Sequence, residues 1–409
     1  MAPQSADSPI VVVGGGLAAG TVVTELREGG YDGPLAVYTD EVHPPYERPP
    51  LSKDFLLDKV PLADALVHSE DWYAAHRVDL HTSTPVTAIE PAEHELTAAG
   101  ATSSYSQLVL ATGSRPRHLG LADDSGAEVH YLRQWGDAER LRAALTERSR
   151  LAIIGGGWIG LEVASAARKH GVEVVLLEAA AQPLLPVLGD QVAALFADLH
   201  RAHGVDLRTD AKVAAIRSGA EGVEIEVDGQ TVTADRLVVG IGAVPDVSLA
   251  EAAGLTVDNG VRTDSRLRTS AEGVWAIGDI ANADHPVLGH PLRVEHWDTA
   301  IQHGKVVVQN LLGNETDHDA LPYFFTDQYD LGMEYVGNPG PEGFDEVVVR
   351  GTTGGDDGGQ FTAWWLRNGR VVAGMHVNDW DAIDHVRRIV GTEVDRARLA
   401  DVGVALEDL

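Results

Sequence analysis

Val13-Gly14-Gly15-Gly16-Leu17-Ala18-Ala19 and Ile154-Gly155-Gly156-Gly157-Trp158-Ile159-Gly160 each follow an apolar run of β character and each open a helical pattern. In such a strand-turn-helix the first glycine permits the tight turn, the second lets a pyrophosphate approach the backbone, and a small third residue lets helix and strand pack. Gly14, Gly16 and Ala19 fill those places in the first copy, and Gly155, Gly157 and Gly160 in the second. The helix that follows points free N–H groups and the positive end of its dipole at the phosphates, so no lysine is needed. One such turn also occurs in ordinary crossovers. Two, about 140 residues apart, point to two dinucleotide sites.

Working outward, the first unit reads as strand Ile10–Val13, a helix from Leu17 to Glu28, a turn over Gly29 to Pro34, and strand Leu35–Tyr38 ending at Asp40. An acid there can reach the ribose hydroxyls of an adenosine; beside Glu41 it can equally be a solvated loop acid. The second unit reads as strand Leu151–Ile154, helix Trp158–His170, strand Val172–Leu177 and then Glu178, 23 residues beyond Gly155. A carboxylate at that strand end accepts from a ribose 2′-OH and repels a 2′-phosphate, which favours NADH over NADPH. The segment Ala179 to Pro186 holds no arginine to pair with that phosphate.

Leu108 to Pro116 and Leu237 to Pro245 read as strand ends opening into small-residue loops, and so as domain boundaries. Val223–Val227 with the turn Asp228-Gly229 suggests a small β insert. In the last 90 residues, Phe361 to Leu366, the hairpin signal Asn368-Gly369 and the return Val371 to Met375 suggest a module with its own sheet. The run Gly351 to Gly359 reads as a mobile hairpin loop.

Composition limits the chemistry. With 409 residues, 44% of them hydrophobic, the chain can bury more than one core. No apolar run is long enough to span a membrane, and the polar start Met1 to Ser8 lacks the features of a signal peptide, so the expectation is a cytoplasmic protein. The absence of cysteine excludes disulfides, cysteine-ligated metal clusters and a redox dithiol in this polypeptide. A net charge of −31 with five lysines argues against a nucleic-acid-binding surface, and the 17 histidines show no metal-ligand spacing.

At Pro45-Tyr46-Glu47-Arg48-Pro49-Pro50-Leu51-Ser52-Lys53 the sequence resembles the oxygenase-coupled and P450-coupled ferredoxin reductases, a flavoprotein family related to glutathione reductase. The likeness continues through Ala111-Thr112-Gly113, Tyr131-Leu132-Arg133, Gly157 to Glu162, Trp275 to Asp279 and Pro322 to Gln328, in family order. It implies an α/β fold of two Rossmann-like, glutathione reductase-like domains and a C-terminal α+β domain. Residues 1–115 and 245–320 would bind FAD, 116–244 NADH, and 321–409 would form the C-terminal domain.

The resemblance also implies roles. Gly14, Gly16, Leu17, Ala18 and Ala19, with Ala111, Thr112 and Gly113, would hold FAD. Asp40 would take the adenosine ribose, Arg48 and Lys53 would lie near the isoalloxazine, and Val86 and Arg133 would line the site. Asp279 would bind the ribityl and phosphate part, and Trp297 the pyrimidine edge through its backbone. Gly155, Gly157, Ile159, Gly160 and Glu178 would receive NADH, with Gly242 beneath its ribose and nicotinamide. Lys53 is the candidate cation for a reduced flavin. Glu162 would orient the nicotinamide amide or pair with Lys53, although an acid near a helix start also suits the dipole. Phe325 stands where the family commonly has tryptophan, which removes an indole NH and much π surface.

The expected activity is transfer of electrons from NADH through FAD to a small iron-sulfur ferredoxin that serves a P450 or an oxygenase, by a monomer or weak homodimer. Direct reduction of oxygen, a quinone or another small acceptor, and a redox-sensing role like that of the apoptosis-inducing flavoproteins, fit the same motifs. An acidic ferredoxin would require a local basic patch, for which Arg262, Arg266, Arg268, Arg293, Arg387 and Arg388 are candidates.

Overall fold

A run such as Ile10-Val11-Val12-Val13, apolar at every position, suits a strand covered on both faces, as in a parallel sheet. The computed structural model describes residues 8–220, 222–355 and 357–409 and builds two such sheets, each in its own unit. The chain passes between units after Arg48, Leu62, Arg115, Ala243 and Pro322. Pro49–Leu62, left inside the first domain by the sequence reading, belongs to the second unit. Met1–Asp7, on which the signal-peptide expectation largely rests, lie outside the described residues. Among the described residues no helix is long and apolar enough to cross a membrane.

The first unit (to Arg48, Ala63–Arg115, Val244–Pro322) carries a five-stranded parallel sheet in the order Val274–Ala276, Gln107–Leu110, Ile10–Val13, Leu35–Tyr38, Val78–His81. One face buries Val12, Val37 and Val109 under the helices Leu17–Glu28 and Trp297–Leu311. The other buries Val11, Leu108 and Leu110 against Ile89 and Leu96 of a three-stranded antiparallel sheet, Val86–Glu90, Glu95–Ala98 and Ala101–Ser104. That small sheet went unread in the sequence. Its third strand, Ala101–Ser104, is exposed throughout and carries no apolar alternation.

The second unit (Pro49–Leu62, Pro116–Ala243, Tyr323–Leu409) repeats the plan. Its parallel sheet runs Asp206–Arg208, Glu173–Leu177, Arg150–Ile154, Arg236–Val239, Val129–His130. The β insert is the antiparallel meander Val213–Gly219, Gly222–Val227, Gln230–Ala234. Its turn Asp228-Gly229 has positive φ at both residues, as a two-residue hairpin requires. The same unit holds a five-stranded antiparallel sheet in the order Tyr323–Gln328, Leu331–Gly337, Arg370–Val377, Gly359–Arg367, Glu346–Thr353. Asn368-Gly369 makes its expected tight turn.

The loop reading of Gly351 to Gly359 needs correction. Gly351 pairs with Phe361, Thr352 with Gln360 and Thr353 with Gly359, so both ends of the run are strand, and Asp356 lies outside the described residues. Polar, glycine-rich composition marked the segment as loop, but a ladder of main-chain hydrogen bonds needs no apolar side chain.

Candidate nucleotide sites and the carboxylate they share a chain with

The two turns divide their glycines by what the polypeptide itself demands. A Cβ on Gly14 would lie 2.1 Å from the Ala111 carbonyl oxygen, and one on Gly155 would lie 2.3 Å from that of Gly240; both residues also have positive φ. Gly160 would meet the Gly155 carbonyl at 2.1 Å. Those three are fixed by packing. Gly16 is different: its φ is −102° and a Cβ there would meet nothing within 4 Å. Gly157, with φ −77°, would touch only the Gly240 oxygen, at 3.9 Å. Neither glycine is needed by the fold, so the open space in front of each suits a ligand backbone such as a pyrophosphate. Each caps a 12-residue helix with no side-chain cap bond and no acid in its first turn, which leaves the N–H groups and the dipole for an anion. The residues present therefore fit two dinucleotides.

Around the first turn, Leu17, Ala18 and the fully buried Ala19 begin the helix, and Asp40 is exposed just past the strand Leu35–Tyr38. Arg48 donates to Glu41 (2.7 Å) and to the Tyr46 hydroxyl (3.0 Å), and Tyr46 donates to Glu41 (2.5 Å). Burial alone would lower the Arg48 guanidinium, but Tyr46, Glu41 and Asp279 outweigh it and hold it above its ordinary value. Ala111, Thr112 and Gly113 leave the strand Gln107–Leu110, with Thr112 Oγ1 donating to the Asp246 carbonyl (2.8 Å) and Gly113 at φ +71°. Ser114 Oγ donates to the Asp279 carboxylate (2.9 Å). Trp297 opens its helix and donates its indole NH to Glu47 (2.9 Å). Val86 starts the small antiparallel sheet and packs on its core.

In the second unit, Glu178 reaches back to its turn: Oε2 accepts from the Gly156 N–H (2.6 Å) and Oε1 from that of Ala180 (2.7 Å). Ile159 is 43% exposed at the helix start. Gly242, at φ +99°, is exposed and accepts from the Arg117 N–H (2.9 Å). The Arg133 N–H donates to Asp137 (3.0 Å).

The same unit brings Lys53, Glu162 and Phe325 together. Glu162 is buried beyond the first helical turn, so the dipole does not account for it. It accepts from Ser52 Oγ (2.5 Å) and Thr326 Oγ1 (2.6 Å), and Lys53 Nζ lies 3.4 Å from it and 3.5 Å from Asp327. Lys53 Nζ also sits 3.9 Å from the centroid of the Phe325 ring, a cation–π contact. Ser52, Lys53, Glu162, Ser165, Tyr329 and Trp380 are among the residues lining a cavity of about 340 Å³.

Two features lay outside the sequence reading. His318, in a loop, packs edge to face on both His285 of a strand and His303 of a helix, and the three line a cavity of about 10 Å³. His303 Nδ1 accepts from the N–H of Gly278, the residue before Asp279 (3.1 Å). Burial lowers all three, His318 to about 4. The second feature concerns the six candidate docking arginines, all of which are engaged. Arg262 pairs with Asp284, Arg266 with Glu315 and Asp317, Arg268 with Asp264, Arg293 with Glu295 and Arg387 with Asp384, while Arg388 donates to the Leu406 and Glu407 carbonyls. The acids of Arg268, Arg293 and Arg387 lie within four positions, whereas those of Arg262 and Arg266 lie 22 to 51 positions away and meet them only in the fold.

Tandem parallel nucleotide folds with open glycine turns, followed by an antiparallel module, define a two-dinucleotide oxidoreductase. The pyridine nucleotide-disulphide oxidoreductase family matches residues 8–304, and the reductase C-terminal family matches 323–409. The chain belongs to the former and ends in the latter module. It is 41% identical to the ferredoxin–NAD(+) reductase component of the anthranilate 1,2-dioxygenase system of Burkholderia cepacia, over 99% of each chain. It is 34% identical to putidaredoxin reductase of Pseudomonas putida, over 99% of this chain and 97% of that one. The solved covalent putidaredoxin reductase–putidaredoxin complex superposes with a TM-score of 0.92 at 35% identity, over 98% of both chains. Family members use FAD and a nicotinamide nucleotide.

Proposed function

We propose that this chain is a cytoplasmic NADH-dependent flavoprotein reductase that passes electrons from NADH through FAD to a small iron-sulfur ferredoxin serving a P450 or an oxygenase. The observation that carries the reading is the pair of turns whose second glycines, Gly16 and Gly157, the fold does not require, in a chain without cysteine. Two nucleotides have a place, and no dithiol can accept their electrons. The full-length likeness to ferredoxin–NAD(+) reductases supplies the acceptor class.

FAD would be held by the first unit through Gly14 to Ala19, Asp40, Arg48, Val86, Ala111 to Gly113, Asp279 and Trp297. NADH would be held by the second through Gly155 to Gly160, Glu178 and Gly242. By the family resemblance, Lys53, Arg133, Glu162 and Phe325 serve the flavin and nicotinamide rings. When bound, the flavin supplies conversion of a two-electron hydride donor into single-electron transfers.

The chain's own groups do the rest. The helix N-termini neutralise the pyrophosphates. Glu178, already fixed on Gly156, receives the ribose diol and repels a 2′-phosphate. Lys53 opposes the negative charge that develops on a reduced ring, and Glu162, held by Ser52 and Thr326, orients the carboxamide. Docking of an acidic ferredoxin on Arg262, Arg266, Arg268, Arg293 or Arg387 would have to displace a carboxylate of this chain, so shape and apolar contact carry more of the recognition than a preformed basic patch.

The test is spectroscopic and kinetic. Purified protein is expected to be yellow, to bleach anaerobically with NADH, and to reduce cytochrome c only when a ferredoxin is added. Colourless protein that FAD cannot reconstitute would refute the cofactor assignment. Rapid turnover of a quinone, with no gain from any ferredoxin, would refute the acceptor.

A further inference from the structure

Glu162 stands at one end of a line of buried polar groups whose hydrogen positions follow from one another. Its carboxylate can only accept, so Thr326 Oγ1, 2.6 Å away, spends its single proton on it. Thr326 must then accept from Gln328, whose Nε2 lies 3.2 Å away, and that turns Gln328 Oε1 toward His200 Nε2 at 2.8 Å. An amide oxygen only accepts, so Nε2 of His200 carries the proton. His200 is fully buried, which lowers it to about 4 and leaves it neutral near pH 7. A neutral ring protonated at Nε2 has a bare Nδ1, and the Tyr329 hydroxyl, 3.3 Å away, donates to it. Every donor in the line therefore points toward Glu162.

Tyr329, the far end, is held in a conformation that a bulky residue adopts only at a cost. Its φ is +58°. Its N–H donates to Ser165 (2.8 Å), its carbonyl accepts from Lys169 (2.9 Å), and its ring stacks on His203 with centroids 3.7 Å apart. Three contacts outside the line thus fix the residue that starts it. Aligned hydrogen bonds polarise one another, so the last one is stronger and more directional than an isolated hydroxyl would give.

We propose that Tyr329, His200, Gln328 and Thr326 are positioning residues that act through this one-directional hydrogen-bond chain to fix the Glu162 carboxylate for the nicotinamide. The proposal rests on the reading of Glu162 given above. It makes two separable claims, the direction of the chain and its use.

Direction is read by nitrogen-15 NMR of histidine-labelled, flavin-loaded protein, with the His200 signals identified by their loss in His200→Phe. The expected pattern is a neutral ring protonated at Nε2; protonation at Nδ1 overturns the chain. Use is read by anaerobic stopped flow with NADH, together with equilibrium binding of NAD+. Gln328→Leu and Thr326→Val should each slow bleaching at saturating NADH about tenfold while NAD+ affinity stays within about twofold, and the double variant should be no slower than either. Thr326→Ser, which restores the hydroxyl, should recover the rate. Additive losses, or a loss in Thr326→Ser equal to that in Thr326→Val, would overturn the positioning role. An unchanged rate in Glu162→Gln would remove the underlying reading and the positioning role with it, while the NMR result still decides the direction of the chain.

Discussion

At the first glycine turn the middle residue, Gly15, is backed by Thr39, whose Oγ1 would lie 2.2 Å from an added Cβ; the neighbouring acid, Asp40, is exposed. At the second turn the middle residue, Gly156, is backed by the acid itself, because Glu178 accepts its N–H and would lie 2.9 Å from its Cβ. The two turns share their first and second glycines and differ in where the acid proposed for the ribose is kept. A carboxylate fixed at the lip of a turn discriminates at each binding event without first being ordered, which suits a nucleotide that exchanges. One left free in solvent is ordered once, by a ligand that stays.

The largest effects should separate the first glycine of each turn from the second. Gly14→Ala and Gly155→Ala place a methyl against a carbonyl oxygen at positive φ and should each cost upwards of about 4 kcal/mol in denaturant unfolding, or prevent folding. Gly16→Ala and Gly157→Ala should leave the apoprotein within about 0.5 kcal/mol of the parent, since neither meets a clash. Gly16→Ala should yield folded protein without its yellow colour. Equal stability losses at all four positions would erase the distinction between glycines set by packing and glycines set by ligand.

Next in size is an acid response that the two units should share. His318 in the first unit and His200 in the second are each lowered to about 4 by burial. Above about pH 6.5 neither affects stability, because both are neutral folded and unfolded. As pH falls below 6.5 the unfolded chain binds protons that the folded chain refuses, so each histidine withdraws up to about 3 kcal/mol by pH 4. Urea unfolding should therefore show midpoints that fall from pH 7 to pH 4.5, with a shallower fall in His318→Gln. Flat midpoints across that range would contradict the burial assigned to both.

Much of this was legible from local sequence because its causes are local. A residue that must take φ +142° beside a carbonyl can only be glycine, so Gly14 announces itself, and an apolar run of four announces a strand covered on both faces. The motifs around Lys53 and Glu162 offered their pairing, and the two groups lie 3.4 Å apart. The uncharged groups that hold Glu162 were not read. Ser52 and Thr326 lie 110 and 164 positions from Glu162 and carry no charge, and His200 meets Gln328 across 128 positions. His285, His303 and His318 likewise meet only in the fold. Spacing rules read helices and strands, whereas these groups converge from different elements.

A smaller effect tests the fixed acid. Glu178→Ala should lower the NADH-over-NADPH ratio of kcat/KM by about tenfold, since it removes both the acceptor for the ribose diol and the repulsion of a 2′-phosphate. An unchanged ratio would mean that fixing Glu178 on Gly156 serves only the turn. Smallest of all, Arg262→Ala should change the KM for ferredoxin less than about twofold, because the guanidinium is already paired with Asp284.

The assignment of a resident and an exchanging nucleotide is tested most directly by anaerobic NADH titration of Gly157→Ala against the parent protein, followed by flavin absorbance. The variant is expected to keep one flavin per chain and its full yellow spectrum, yet to need at least about tenfold more NADH to bleach. Loss of flavin from this variant, or a bleaching curve that overlays the parent's, would contradict the account.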